Sequence, residues 1–184
     1  MSVLLASNNN DHGSPTLLNL VTITKYAVAF SLPNRATIDR VDYTLSKVGS
    51  PTGNAYARIY NLTDTYGVNA VPLGNPIAES DPFDVTTIGA EGWYSFLFST
   101  PAALPSATPY FISVEHVGTA SNRVTVQLDT DETIYAGNTA GYTGTWSYLI
   151  GGSEYDLYFF LYGNLILPSI QGVQSITGVQ SIRF

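Results

Sequence analysis

Apolar and polar positions alternate along most of the chain. In "EGWYSFLFST", Tyr94, Phe96 and Phe98 fall on one side of an extended backbone, and Trp93, Ser95 and Leu97 on the other. "ATIDRVDYTLSKVG" and "AYARIYNL" follow the same period of two, the first imperfectly. "YAVAFSL", "PYFISVEHV", "RVTVQLD", "TWSYLI" and "EYDLYFFLYG" add further β-prone runs rich in branched and aromatic residues. No segment of ten residues or more carries a helical period. Gly/Pro/Asn/Ser punctuation separates the runs: Gly49 to Asn54, Pro101 to Pro109, Gly118 to Asn122, Gly137-Asn138, Gly141 to Gly144 and Gly151 to Ser153. The pattern predicts an all-β fold, an antiparallel two-sheet β-sandwich of jelly-roll type with extended N- and C-terminal arms.

Two stretches, residues 63–90 and the C-terminal tail, depart from this rhythm. Residues 1–24 read as an N-terminal arm or a first edge strand, ahead of a sandwich domain spanning 25–164. Residues 63–90 read as a long connection with three prolines and one short strand around Ile77 to Glu79. Residues 165–184 read as a tail, set off by Pro168, in which the unit S-I-x-G-V-Q occurs twice and begins a third time. The tail's apolar residues, Ile170, Val173, Ile176, Val179 and Ile182, recur at every third position before the terminal Phe184. In an extended chain a period of three puts apolar groups on both faces. Such a segment has reason to lie between two surfaces, to add to a neighbour's sheet edge, or to wind with two further copies about a threefold axis. These residues are therefore assigned to assembly or anchoring, and fully extended they reach about 50 Å.

Composition narrows the function classes. A chain of 184 residues is long enough for one domain with a sizeable core. Charged residues make up only 11%, and the formal net charge is −7. No run of Lys and Arg is available to neutralise a row of phosphates, which argues against nucleic-acid binding. No apolar stretch reaches the length of a membrane span. Zero cysteines removes disulfides, thiol chemistry and thiolate-ligated zinc. The N-terminal stretch lacks the basic and apolar regions of a secretory signal, so synthesis in a cytoplasm is expected.

Catalytic chemistry has few candidates, and no enzyme is expected. His116 adjoins Glu115, yet neighbours on one strand point to opposite faces and cannot form a dyad. "GSPTG" (49–53) lacks the Lys and the following helix of a phosphate loop and reads as a hairpin turn. Asp129, Asp131 and Glu132 could gather oxygens around calcium, but the spacing also suits a solvated acidic loop; no other cofactor is implied. Tyr142, Trp146 and Tyr148 lie in a Gly/Thr-rich stretch. They could contact a flat ligand such as a sugar ring, or pack together on a strand face.

"IDRVDYTLSKVGSPTGNAYARIYN" (38–61), "TYGVNAVPLGNPIAES" (65–80) and "YFISVEHVG" followed by "YAGN" resemble a β-sandwich module of structural proteins from tailed phages and environmental viruses. The likeness spans about residues 27–163. The tail units are similar to Ile-Lys-Ser-Ile-Gln-Arg-Gly stretches near the ends of small phage head proteins, although Arg183 alone is basic here. The resemblance implies a virion component: a capsid decoration, cement or fibre subunit. Its partners would be copies of itself, as a homo-oligomer such as a trimer, and other virion proteins such as the major capsid protein. A carbohydrate-binding or receptor-binding module, touching a host-surface glycan, is the alternative.

Overall fold

The computed structural model describes residues 2–8, 16–129, 136–149 and 156–167. Nearly all of these lie in strands or in the turns that join them. The first seven strands are β1 (Val3–Asn8), β2 (Thr16–Asn19), β3 (Lys25–Ser31), β4 (Ala36–Val48), β5 (Asn54–Thr63), β6 (Val71–Glu79) and β7 (Phe83–Asp84). The next seven are β8 (Gly92–Leu104), β9 (Pro109–Glu115), β10 (Arg123–Asp129), β11 (Thr139–Tyr142), β12 (Trp146–Tyr148), β13 (Asp156–Leu157) and β14 (Phe159–Leu165). A single 3₁₀ turn, Val85–Thr87, is the one helical element among the described residues, capped by the Asp84 carboxylate accepting from Thr86 N–H.

The strands form two antiparallel sheets packed face to face. Sheet I runs β1-β14-β4-β10-β13, with β8 also on β4 and β2 on β10. Sheet II runs β12-β11-β3-β9-β5-β6, with β7 also on β5. Most consecutive strands pass from one sheet to the other, which puts residues far apart in sequence side by side. The core lies between the sheets. Ile38, Val41, Tyr43 and Leu45 of β4 and Phe96 and Phe98 of β8 face Val28 and Phe30 of β3 and Ile112 and Val114 of β9, all essentially inaccessible to solvent. Each such side chain contributes roughly 1.5–3 kcal/mol by leaving water.

Four expectations change. The connection 63–90 contains a nine-residue strand, β6, rather than a short one. It is the edge strand of sheet II, where Pro72 and Pro76 interrupt no central ladder. Its register also breaks: β5 advances from Ile59 to Asn61 while β6 passes from Ala78 to Leu73. The Pro101 turn is likewise part of a strand, because β8 continues to Leu104 along β4 past an irregularity near Asp39. Gly141 and Tyr142, read as turn, lie in β11 between β3 and β12. Finally, residues 49–53 join β4 of sheet I to β5 of sheet II, so they form an arch between the sheets and not a hairpin. Gly49 permits the arch: its φ is +69°, and a Cβ there would lie 2.1 Å from the Ser121 carbonyl oxygen. Ser50 N–H donates to Asn122 Oδ1 at 2.8 Å, tying the arch to the turn after β9.

Residues of the N-terminal 24 contribute β1, at the edge of sheet I on β14, and β2, on β10. At the other end β14 runs through Leu165, and Ile166 N–H still donates to the Arg35 carbonyl at 2.8 Å.

Candidate functional site

Strand register builds a row across the outer face of sheet II. Trp146 of β12 pairs with Tyr142 of β11, Tyr142 with Lys25 of β3, Lys25 with Glu115 of β9, and Glu115 with Tyr56 of β5. Paired residues share a face. Two aromatic rings therefore end at an ionic centre with a third ring beyond it. The Lys25 ammonium lies 4.7 Å from the Tyr142 ring centroid and 5.8 Å from that of Trp146, and 3.1 Å from Glu115 Oε2.

Glu115 is the hub. Its carboxylate, almost wholly buried, accepts from the Arg58 guanidinium, from Tyr60 Oη–H at 2.6 Å and from Ser113 Oγ–H at 2.8 Å, besides pairing with Lys25. Arg58 reaches outward through Nε to Glu79 at 2.6 Å. Burial alone would lower the Arg58 pKa; the bonds and charges of Glu79 and Glu115 outweigh it and raise it. Burial, then the hydrogen bond to Glu115, pushes the Tyr60 hydroxyl far up, so it stays a donor.

Next to the row, Ala27, Ala29, Phe111, Ala140 and Tyr60 form a second apolar cluster on the outside of sheet II, with Trp146 packed on it. Trp146 stands edge-to-face with Tyr60 at 5.7 Å and with Tyr142 at 5.3 Å. Beyond the ionic centre the face opens into a groove of about 370 Å3, bounded by the 49–54 arch, the start of β3 and the end of β9.

The outer face of sheet I has a different character. Leu4, Tyr162, Arg40 and Leu97 lie in register across β1, β14, β4 and β8. Leu4 is 51% exposed, Leu97 53% and Trp93 45%. Trp93 packs on Phe160 with centroids 4.4 Å apart, and the Arg40 guanidinium sits 3.8 Å from the Tyr162 ring centroid and 3.1 Å from Asp42. This is a largely apolar, aromatic surface open to solvent.

The residues singled out in the sequence fall as follows. Tyr142 and Trp146 come together, and Tyr148 continues the same strand at greater exposure. Asp129 closes β10 opposite Asp156, while Asp131 and Glu132 lie outside the described residues, as do Ile170, Val173, Ile176, Val179, Ile182 and Phe184. Among the described residues, no group of His, Asp and Glu is arranged to hold a metal, and no helix is long and apolar enough to cross a membrane. Glu79 is bound by Arg58, Asp81 accepts from Ser99, and Asp84 caps the 3₁₀ turn. His116 N–H donates to the Thr24 carbonyl at 3.1 Å, its Nδ1 lies 3.3 Å from the Asn54 carbonyl, and its Nε2 has no partner among the described residues. Lys25 and Arg58 escaped the sequence reading. Their one visible signal was a cation on an otherwise apolar alternating strand.

The fold and these surfaces define the chain as an all-β, two-sheet sandwich. No protein-family model, no curated protein and no solved structure matches it.

Proposed function

We propose that the chain is a non-enzymatic structural subunit of a virion, a capsid decoration, cement or fibre protein made in the host cytoplasm. It associates with copies of itself and with another virion protein such as the major capsid protein. The observation that supports this reading is the outer face of sheet I. The register-aligned stripe Leu4-Tyr162-Arg40-Leu97, flanked by Trp93 and Phe160, leaves large apolar groups in water. Contiguous exposed apolar surface of this kind marks a protein contact, and stable contacts need about 800 Å2 from each partner. The tail repeat, with its apolar period of three, takes the anchoring role in this reading.

The test compares the full chain with one lacking Ser169 to Phe184 and with Leu97→Asp, by light scattering on a sizing column and by incorporation into particles. The full chain is expected to form symmetric oligomers and to incorporate; the truncated chain keeps its β-sheet circular dichroism but does neither, and Leu97→Asp weakens association. A full chain that stays monomeric at high concentration and is absent from particles overturns the reading. A glycan-binding role is compatible with such a subunit, and the groove beside Lys25 is what favours it.

A further inference from the structure

Of the sheet edges among the described residues, that of β1 is the least defended. β1 ends sheet I and pairs with β14 alone, so along its other side N–H and C=O groups point out of the sheet. Natural edges of this kind are blunted by charge, by proline or by brevity. β6, the edge of sheet II, carries Pro72 and Pro76. β8, which pairs with β4 alone, carries Pro101, and its Leu97 carbonyl already accepts from Asp81 N–H at 2.7 Å. β12 has three residues and β2 four. β1, Val-Leu-Leu-Ala-Ser-Asn, has six residues with neither charge nor proline.

The surroundings of this edge are apolar on both faces. On the outer face Leu4 begins the exposed stripe that continues through Tyr162 to Leu97. On the inner face Leu5 and Ala6 pack, partly buried, against the core. β1 carries one irregularity, the extra residue Leu5 between Leu4 and Ala6. There a groove of about 190 Å3 opens, lined mainly by Val3, Leu4, Leu5, Leu32, Pro33 and Leu165. It is smaller than the roughly 300–1,000 Å3 of small-ligand sites, and matches side chains rather than a free ligand. A strand that fits this edge needs apolar groups on both of its faces. The tail sequence has that pattern, with Ile170 and Ile176 on one face of an extended chain and Val173 and Val179 on the other.

The described chain ends at this place. Leu165 lines the groove, and Leu167, 76% exposed, is the last described residue before the tail. Fully extended, the tail reaches about 50 Å, well beyond the ~20 Å of a six-residue strand. Its own β1 is the wrong edge. The residue before a proline favours extended backbone, so Leu167 carries the chain onward in the direction of β14, whereas β1 runs back the other way. A tail reversed onto its own β1 would pair parallel, the weaker arrangement. The β1 of a second copy is met antiparallel.

We infer that the C-terminal tail of one copy adds as an antiparallel strand to the free edge of β1 in a second copy, with one apolar face in the groove at Leu5 and the other beside Leu4. The inference rests on the assembly role proposed for the tail and names the surface that receives it.

Because the chain has no cysteine, disulfide trapping reads this contact cleanly. Full-length Leu4→Cys, carrying an affinity tag, is co-expressed with untagged full chains that hold one cysteine at each position from 169 to 177 in turn, and oxidised after purification. A disulfide needs Cα atoms within about 7 Å of each other. Tagged–untagged dimers are therefore expected at every second tail position, the period of a strand, and are lost at the positions between. Gln174→Pro together with Ser175→Pro keeps every apolar tail residue, but adjacent N–H groups point opposite ways, so one of the two removed belongs to the ladder. With both prolines trapping is expected to vanish while thermal melting is unchanged. Equal trapping at all positions, trapping that survives the prolines, dimers between two Leu4→Cys chains in their place, or a Leu4→Cys/Val173→Cys double variant that closes its disulfide within one chain overturns the inference. A chain that oligomerises and enters particles yet traps no mixed dimer overturns it and leaves the assembly reading standing; a chain that stays monomeric overturns both.

Discussion

At the scale of single residues, the Glu115 hub and the core handle buried polar groups in opposite ways. Glu115 is saturated, whereas the Tyr43 hydroxyl, in the centre of the sandwich and edge-on to Phe96 at 5.7 Å, has no partner among the described residues. An unpaired buried hydroxyl forfeits its hydration without return, at about 1–3 kcal/mol. Tyr43→Phe keeps the ring and removes the orphan. Urea unfolding is expected to show it equal to or up to about 1 kcal/mol more stable than the parent; a loss beyond about 1 kcal/mol would mean that the hydroxyl is bonded after all. The same scale explains what the sequence hid. The donors to Glu115 come from positions 25, 58, 60 and 113, on three strands, and only register brings them together. By contrast, Tyr142 and Trp146 stand four positions apart on one hairpin, so their meeting could be anticipated locally.

At the scale of elements, regular alternation was a sufficient signal wherever a strand has one face in the core. β4, β5, β8, β9, β10 and β14 all coincide with runs legible in the sequence. The failures have physical causes: β6 is an edge strand that tolerates Pro72 and Pro76, and β11 takes Gly141 where a glycine usually signals a turn. Gly141 has a packing reason, since a Cβ there would lie 3.1–3.2 Å from Leu149 and Ile23 side chains. Gly163 has a stricter one. It sits at the register shift between β14 and β4, where a Cβ would come within 1.8 Å of the Thr37 carbonyl oxygen and 2.9 Å from Leu5. Backbone cannot yield as a flexible side chain does, so Gly163→Ala is expected to cost about 3 kcal/mol or more. Hydrogen exchange should speed up first in β1 and β14, which flank the clash. Unchanged protection in those two strands would show that the sheet absorbs the methyl.

At the scale of the whole molecule, the fold holds several tyrosines in their neutral form. Burial raises Tyr26 from an ordinary value of 10.0 to about 12. Burial also lifts Tyr43 well above it, with the Glu115 charge adding to the effect, and burial followed by the Glu115 hydrogen bond lifts Tyr60. In the unfolded chain all three ionise near pH 10. Above that pH the unfolded chain binds fewer protons than the native one, so stability declines as pH rises. The contribution is therefore complete below about pH 10 and is lost as pH climbs through and beyond about 12, the folded value of Tyr26. Because Tyr26 and Tyr43 line the inter-sheet core, ionising either means opening the sandwich, whereas ionising Tyr60 means breaking the outer hub. Absorbance at 295 nm and far-ultraviolet circular dichroism, followed together from pH 9 to 13, should show exposed tyrosines titrating first with the β-signal intact. A second rise in absorbance should then coincide with loss of that signal. If all the tyrosines ionise near pH 10 while the β-signal persists, the sandwich admits water to its core, and the closed packing between the sheets described above is wrong.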